Sequence, residues 1–379
     1  MSPRARSSAL LAPPMLWVVS MAAVGCGGAP PPPAEGAQSV GKGGGGEDGP
    51  RGPQKVKSVA TGDFHTCVVV VGGTVMCFGR DRDGELGDGG AAGNRSRPLS
   101  VPNLRDVEEV AAGSGFSCAR LKDGTVRCWG SGAILGDDRV VEKSRPTQVA
   151  GLEGIVELRA GGLVACARSK TGAVKCWGAE AVKSGAPTAG AEEIAASGAH
   201  ACARTLEGKV TCFGEGLAAA KNGKPITLDV AKATALSTGD SFACVVVDAQ
   251  VRCFGRNDQG ELGTSPDKES RNKPTPVKNA TGIEKIVSAE SRTCALALDK
   301  TVRCWGSNHE GELGRGTKSV SEPIGPVNGL KNVVEIAVGA GHACARTADG
   351  DVFCWGGNRQ GQLGDGTNES RTSPVRVVF

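Results

Sequence analysis

The chain has 379 residues, among them 58 Gly, 20 Pro and 15 Cys, with no Tyr and aromatics at only 3%. Lys plus Arg is 44 against 40 acids, and two of those cations, Arg4 and Arg6, stand in the first 25 residues. A near-neutral body gives no electrostatic reason to expect nucleic acid as a partner. Four His leave little material for a His-rich metal site, and fifteen Cys exclude a reducing cytosol.

Residues 1–25 pair those early arginines with an apolar run from Leu10 to Ala23, the pattern of a secretory signal peptide too short to span a bilayer. The run ends Ala23-Val24-Gly25-Cys26, which resembles the bacterial lipobox, with Ala23 where that motif prefers Leu. The resemblance implies that Cys26 is lipidated and opens the mature chain. Parity agrees, because Cys26 is the odd cysteine once the others pair. Gly27 and Gly28 supply no inner-membrane retention Asp, so the expected address is the bacterial cell envelope, on the outer membrane, with the lipid as the only membrane contact. Residues 26–53, with Pro30 to Pro33 and Gly43 to Gly46, cannot bury a core and read as a flexible tether. The folded body is 54–379.

Within that body fourteen cysteines fall in pairs: Cys67 with Cys77, Cys118 with Cys128, Cys166 with Cys176, Cys202 with Cys212, Cys244 with Cys253, Cys294 with Cys304 and Cys344 with Cys354. Successive first cysteines are 51, 48, 36, 42, 50 and 50 residues apart. A unit recurring at that period means a propeller or a solenoid. In the second unit two strand-like runs, Phe116 to Leu121 and Thr125 to Gly130, flank Lys122-Asp123-Gly124, which is a β-hairpin signal. A three-residue loop with Gly124 in the left-handed position sets Leu121 opposite Thr125. It makes Cys118 and Cys128 a non-hydrogen-bonded pair, close enough for a disulfide. In the fifth unit a two-residue loop at Asp248-Ala249 brings Cys244 and Cys253 to the same relation. Zinc is the competing use of paired cysteines, but the Cys-x2-4-Cys knuckle is missing. One cross-strand disulfide per unit is therefore expected. The sixth unit has Asp299-Lys300 where Gly is expected, so its turn should be strained or differently shaped.

After the second cysteine four units continue alike, as in Phe78-Gly79-Arg80-Asp81-Arg82-Asp83-Gly84-Glu85-Leu86-Gly87 and Trp355-Gly356-Gly357-Asn358-Arg359-Gln360-Gly361-Gln362-Leu363-Gly364. The others run from Phe254 to Gly263 and from Trp305 to Gly314. Together with Gly341-His342-Ala343-Cys344-Ala345, these segments resemble the regulator of chromosome condensation repeat over roughly 54–379. The resemblance implies an all-β seven-bladed β-propeller. Units two to four lose the long loop, so regular loops occupy the arc of blades five, six, seven and one. The segment Arg97-Pro98-Leu99-Ser100-Val101 reads as the opening strand of the second unit. The first unit lacks such a strand, and the C-terminal Ser373 to Phe379 supplies one, so the expectation is a ring closed by the C-terminal strand completing the first blade.

His65, His200 and His342 share one place, two residues before a first cysteine, where other units hold Phe116, Val164 and Phe242. A slot that accepts Phe and Val is a packing slot. Phe78, Trp129, Trp177, Phe213, Phe254, Trp305 and Trp355 recur once per unit and read as core between blades. The acids sit at turns set by the repeat, and no carboxylate pair stands out for acid–base work. Neither the ending of a phosphate loop nor a serine-hydrolase elbow is present, and His309 with Glu310 and Glu312 makes no recognisable site. The expectation is a monomeric, non-catalytic module without cofactor or metal that binds an unidentified protein. The alternative is an extracytoplasmic enzyme inhibitor or a glycan-active propeller. A guanine-nucleotide exchange factor, as in the family's eukaryotic namesake, fits an exported chain least.

Overall fold

Short apolar runs bounded by Gly-containing turns leave this chain little choice but strands, and strands are what it forms. The structure, a computed structural model, describes residues 54–90, 92–131, 142–179, 182, 185–217 and 224–379. The expected signal peptide, the expected tether and Cys26 lie outside the described residues.

The described residues form seven antiparallel sheets. The first takes Val56–Thr61, His65–Val70, Val75–Gly79 and Arg95–Ser100, paired in that order. The last takes Val333–Val338, His342–Thr347, Val352–Gly356 and Arg371–Arg376. Six sheets have four strands, and the third, built on Ile155–Gly161, Val164–Ser169 and Val174–Gly178, has three. Beyond its third strand, the Val174 N–H donates to the Pro187 carbonyl at 2.8 Å. The fold is all-β, a seven-bladed propeller.

Each blade carries its disulfide where expected, between residues that face each other across the two central strands. Cys67 is bonded to Cys77, Cys118 to Cys128, Cys166 to Cys176 and Cys202 to Cys212. In the remaining blades Cys244 is bonded to Cys253, Cys294 to Cys304 and Cys344 to Cys354. In all seven bridges the Cα atoms are 4.0–4.1 Å apart. The second-blade turn is as expected: Leu121 N–H donates to the Thr125 carbonyl at 2.9 Å and Gly124 has φ 81°. The fifth-blade turn puts Asp248 and Ala249 at φ 51° and 57°. The sixth keeps the common shape, Ala297 N–H to Thr301 carbonyl at 2.9 Å, by forcing Lys300 to φ 67°. Strain, and not a new shape, is the outcome there.

Packing between blades follows the repeat. Phe78, Trp129, Phe213, Phe254, Trp305 and Trp355 are fully buried, and Trp177 nearly so. The indole N–H of Trp129, Trp305 and Trp355 donates to the carbonyl of Glu85, Glu261 and Glu312 in the blade before, at 2.7–2.9 Å. A Cβ on Gly87 would lie 2.6 Å from the Trp129 ring, so the last glycine of each Gly-x-Leu-Gly loop permits that approach.

Closure of the ring differs from the expectation. Arg371–Arg376 hydrogen-bonds to Val352–Gly356 and completes the seventh blade, whereas the first blade has its own outer strand in Arg95–Ser100. The loop after each third strand is long enough to turn the chain back onto that strand, so the Pro/Val-rich segment belongs to the unit before it. Closure joins apolar packing to hydrogen bonds: Val377 and Phe379 join Val56, Val59, Val68 and Phe78 in one cluster, and the N–H groups of Val56 and Gly366 donate to the Gly350 and Ser96 carbonyls at 2.9 Å. The Gln362 carbonyl accepts from Thr66 Oγ1 at 2.8 Å, which serves the joint where Phe78 has no N–H to give.

Candidate protein-binding face

The turns between first and second strands and the loops between third and fourth strands emerge at the same end of the barrel. Backbone bonds tie them together: Arg80 N–H to the Phe64 carbonyl at 2.8 Å, Arg256 to Ser241 at 2.9 Å, Ser307 to Ser291 at 3.0 Å and Gly357 to Gly341 at 2.7 Å. The four long loops are braced from within. Asn257, Asn308 and Asn358 each accept the N–H of Leu262, Leu313 and Leu363 at 2.9–3.1 Å. Buried Glu85 and Glu261 take the guanidinium Nε of Arg80 at 2.6 Å and of Arg256 at 3.0 Å. A binding surface so braced loses little conformational freedom on meeting a partner.

At the centre of this face Asp63, Asp240 and Glu290 line the mouth of the axial channel. Burial pushes all three carboxyls upward. Mutual repulsion adds to this at Asp63 and Glu290, while Arg80, Arg256 and Arg292 oppose it from beside them. This gathering was not foreseen from the sequence. The signal was available, because the three acids sit at equivalent turn positions in blades one, five and six. Among the described residues no group of three His, Cys, Asp or Glu is placed to hold a metal. The mouth encloses about 40 Å³, room for a water and not for a sugar ring.

Around the mouth stand Phe64 and Leu163, 38% and 56% exposed, at equivalent turn positions of blades one and three. The Arg80 guanidinium lies 5.0 Å from the centre of the Phe64 ring. An exposed aromatic under a guanidinium, beside carboxylates, is the composition of an interface anchor. At the opposite end Val71, Leu206 and Leu298 stand on separate hairpin tips.

Behind the mouth the channel opens to about 730 Å³. Arg159 reaches into it from the position that other blades fill with Ala60, Ala111, Ala195, Ser237, Val287 and Ala337. The channel walls take away part of its water and so oppose its charge, but Glu109 at 2.5 Å and Glu157 at 3.1 Å outweigh that and hold it protonated. Glu109, Glu157, Glu193 and Glu335 each also pair with an arginine of the neighbouring strand, Arg120, Arg168, Arg204 and Arg346, at 2.6–3.1 Å.

The three histidines are packing residues. His65, His200 and His342 are fully buried in the slot that Phe116 and Phe242 fill in their own blades. His65 Nε2 meets Ser117 Oγ at 2.8 Å and His342 Nε2 meets Thr66 Oγ1 at 2.7 Å. Neither ring nitrogen of His200 has a well-formed hydrogen bond among the described residues, although backbone groups of Phe242 and Glu215 lie close. Burial drives all three toward the neutral form, to about 4, about 4 and about 3.

Comparison with known proteins agrees with this architecture. The regulator of chromosome condensation (RCC1) repeat matches residues 56–85, 107–133 and 333–362, and a second profile of the same repeat matches 301–346 and 349–379. The human E3 ubiquitin-protein ligase HERC2 is 40% identical over 82 residues, 21% of this chain and 2% of that protein. Protein pim1 of Schizosaccharomyces pombe is 34% identical over 89 residues, 20% of this chain and 16% of that protein. This chain thus spans only a small part of the curated relatives it matches. Among solved structures, Prp20p of Saccharomyces cerevisiae superposes with a TM-score of 0.70 at 21% identity, over 82% of this chain and 87% of that one. Human WBSCR16 does so with 0.69 at 20% identity, over 81% and 94%. Identity at that level shows the fold alone. The chain is a seven-bladed β-propeller that carries regulator of chromosome condensation repeats within residues 56–133 and 301–379.

Proposed function

We propose that this chain is a non-catalytic binding module that holds a protein partner against the face around Asp63, Phe64, Leu163, Asp240 and Glu290. The carrying observation is Phe64, an exposed aromatic fixed under Arg80 on a face whose loops are already braced. The Prp20p structure is described together with binding to Gsp1p and histones, so a propeller of this repeat serves protein partners in at least one relative. The lipobox at Cys26 supports a place in the bacterial cell envelope, with the propeller tethered through 26–53. A guanine-nucleotide exchange role fits that address poorly.

A glycan-active propeller is the second reading, and the gathered carboxyls at the mouth are the observation in its favour. The small mouth and the arginine beside each acid weigh against it. Photo-crosslinkers placed at Phe64 and Leu163, and at Leu206 and Leu298 on the opposite rim, decide between the faces in intact cells. A discrete protein adduct from the first pair only is expected. No adduct at all, with turnover of an added glycan lost in Asp240→Asn, would establish the second reading instead.

A further inference from the structure

The four long loops are near copies, and one of them breaks the copy at a single buried atom. In blades five, six and seven an Asn side chain accepts a leucine N–H through Oδ1 and donates from Nδ2 across the loop. Asn257 donates to Asp267 Oδ2 at 2.9 Å, Asn308 to the Thr317 carbonyl at 3.2 Å, and Asn358 to Asp365 Oδ1 at 3.1 Å. The first blade places Asp81 there. Its Oδ1 accepts Leu86 N–H at 3.2 Å as the asparagines do, and it is 2% exposed. An acid stands near it. Asp88 follows Asp81 at the spacing of Asp365 from Asn358, and its Oδ2 meets Arg95 at 3.3 Å as Asp365 meets Arg371 at 3.0 Å. A carboxylate has no hydrogen to give, so the contact made by an amide in the sister loops needs a proton here.

We infer that Asp81, set where the sister loops need a hydrogen-bond donor, makes the first-blade loop a pH-sensitive element of this face. When Asp81 holds a proton taken from solvent, its hydroxyl donates across the loop in place of the amide N–H. When the proton returns to solvent, the buried carboxylate has no hydrogen to give and the loop contact opens. Burial, with repulsion from Asp88 and Glu85, pushes Asp81 up to about 6 against the Leu86 N–H and Arg95. The surrounding charges are otherwise committed: Glu85 to Arg80 at 2.6 Å and Asp88 to Arg95. From the second blade Arg145 approaches Gly89. The inference rests on loop geometry and stands whichever face binds the partner.

The test compares the full chain with its Asp81→Asn variant by carboxyl carbon NMR and by thermal melting between about pH 5 and about pH 8. Asp81 should titrate with a midpoint near 6, and the variant should gain stability over the parent as pH rises through that value. Because the buried histidines are common to both proteins, their contribution cancels in the difference. The reciprocal variant Asn358→Asp, which sets a carboxyl against Asp365, should install a second such titration in the seventh blade. An ordinary carboxylate midpoint for Asp81, or a stability difference that does not change with pH, overturns the inference.

Discussion

Glu335 of the seventh blade accepts a hydrogen bond from Ser58 Oγ of the first at 3.1 Å, across 277 residues of sequence, while Arg346 holds its other oxygen at 2.6 Å. The same carboxylate also accepts the Val59 N–H at 3.3 Å. Glu109 does the same for Leu158 of the blade that follows it, at 3.0 Å. The glutamate therefore sews one blade to the next, and at Glu335 it sews the ring shut. Glu335→Ala should lower stability by about 1–3 kcal/mol, because Arg346 and the first-blade donors lose their acceptor. Chemical denaturation with intrinsic Trp fluorescence measures this. No loss would mean that the apolar packing and the remaining hydrogen bonds close the ring without it.

The bridges should be complete and inaccessible. Alkylation of the denatured body without reductant is expected to label none of the fourteen paired cysteines, and labelling after reduction should reach all of them. By the chain-entropy estimate each ring of about ten residues contributes roughly 2–3 kcal/mol, with a sum below additivity because tight hairpins are already restrained when unfolded. Intact-mass spectrometry reads both outcomes and also reports any acyl chain on Cys26.

Ala249 and Lys300 are among the turn residues that bear positive φ without being glycine. Ala249 in the fifth blade, at φ 57°, has only a methyl group to set against its left-handed backbone. Ala249→Gly should stabilise by about 0.5–1 kcal/mol, the left-handed penalty less the extra chain entropy of glycine. Lys300→Gly should gain less, because it also gives up the Glu284 ion pair at 2.6 Å. Thermal melting of the two variants tests the ranking, and equal gains would contradict it.

Acid sensitivity follows from the buried histidines. Their folded values lie below the unfolded 6.5, so the unfolded chain binds more protons and stability falls as pH drops from about 6.5 toward about 4. A fully buried imidazole shifted that far represents about 3 kcal/mol at the acid end. His200→Phe, which copies the side chains of the second and fifth blades, should fold and flatten part of that slope. A variant as acid-sensitive as the parent would show that other groups set the acid limit.

Phe64→Ala should abolish partner capture at the proposed face and leave the melting temperature nearly unchanged, because the side chain is 38% exposed. The matching Leu206→Ala change on the far rim should leave capture intact. Binding assays on the crosslinked partner read the contrast, and equal losses would place the contact elsewhere.

What local rules govern was legible in advance. Cysteine spacing, turn chemistry and the alternation of small and apolar residues act over ten to fifty positions, so blade number, disulfide pairing and the buried aromatic of each blade could be counted along the chain. Glu109, Glu157, Glu193 and Glu335 each precede an arginine by eleven positions, a signal that could have found the blade-to-blade stitches as well. Other features depend on which segments meet once the ring shuts. The outer strand Arg95–Ser100 turned back onto its own blade because backbone groups at a sheet edge seek the nearest free partners, and the C-terminal strand followed the same rule. Asp63, Asp240 and Glu290 share one mouth although up to 227 residues separate them, since only a closed ring points seven equivalent turns at one axis. Charge repulsion among them, like the meeting of Glu335 with Ser58, exists only in three dimensions.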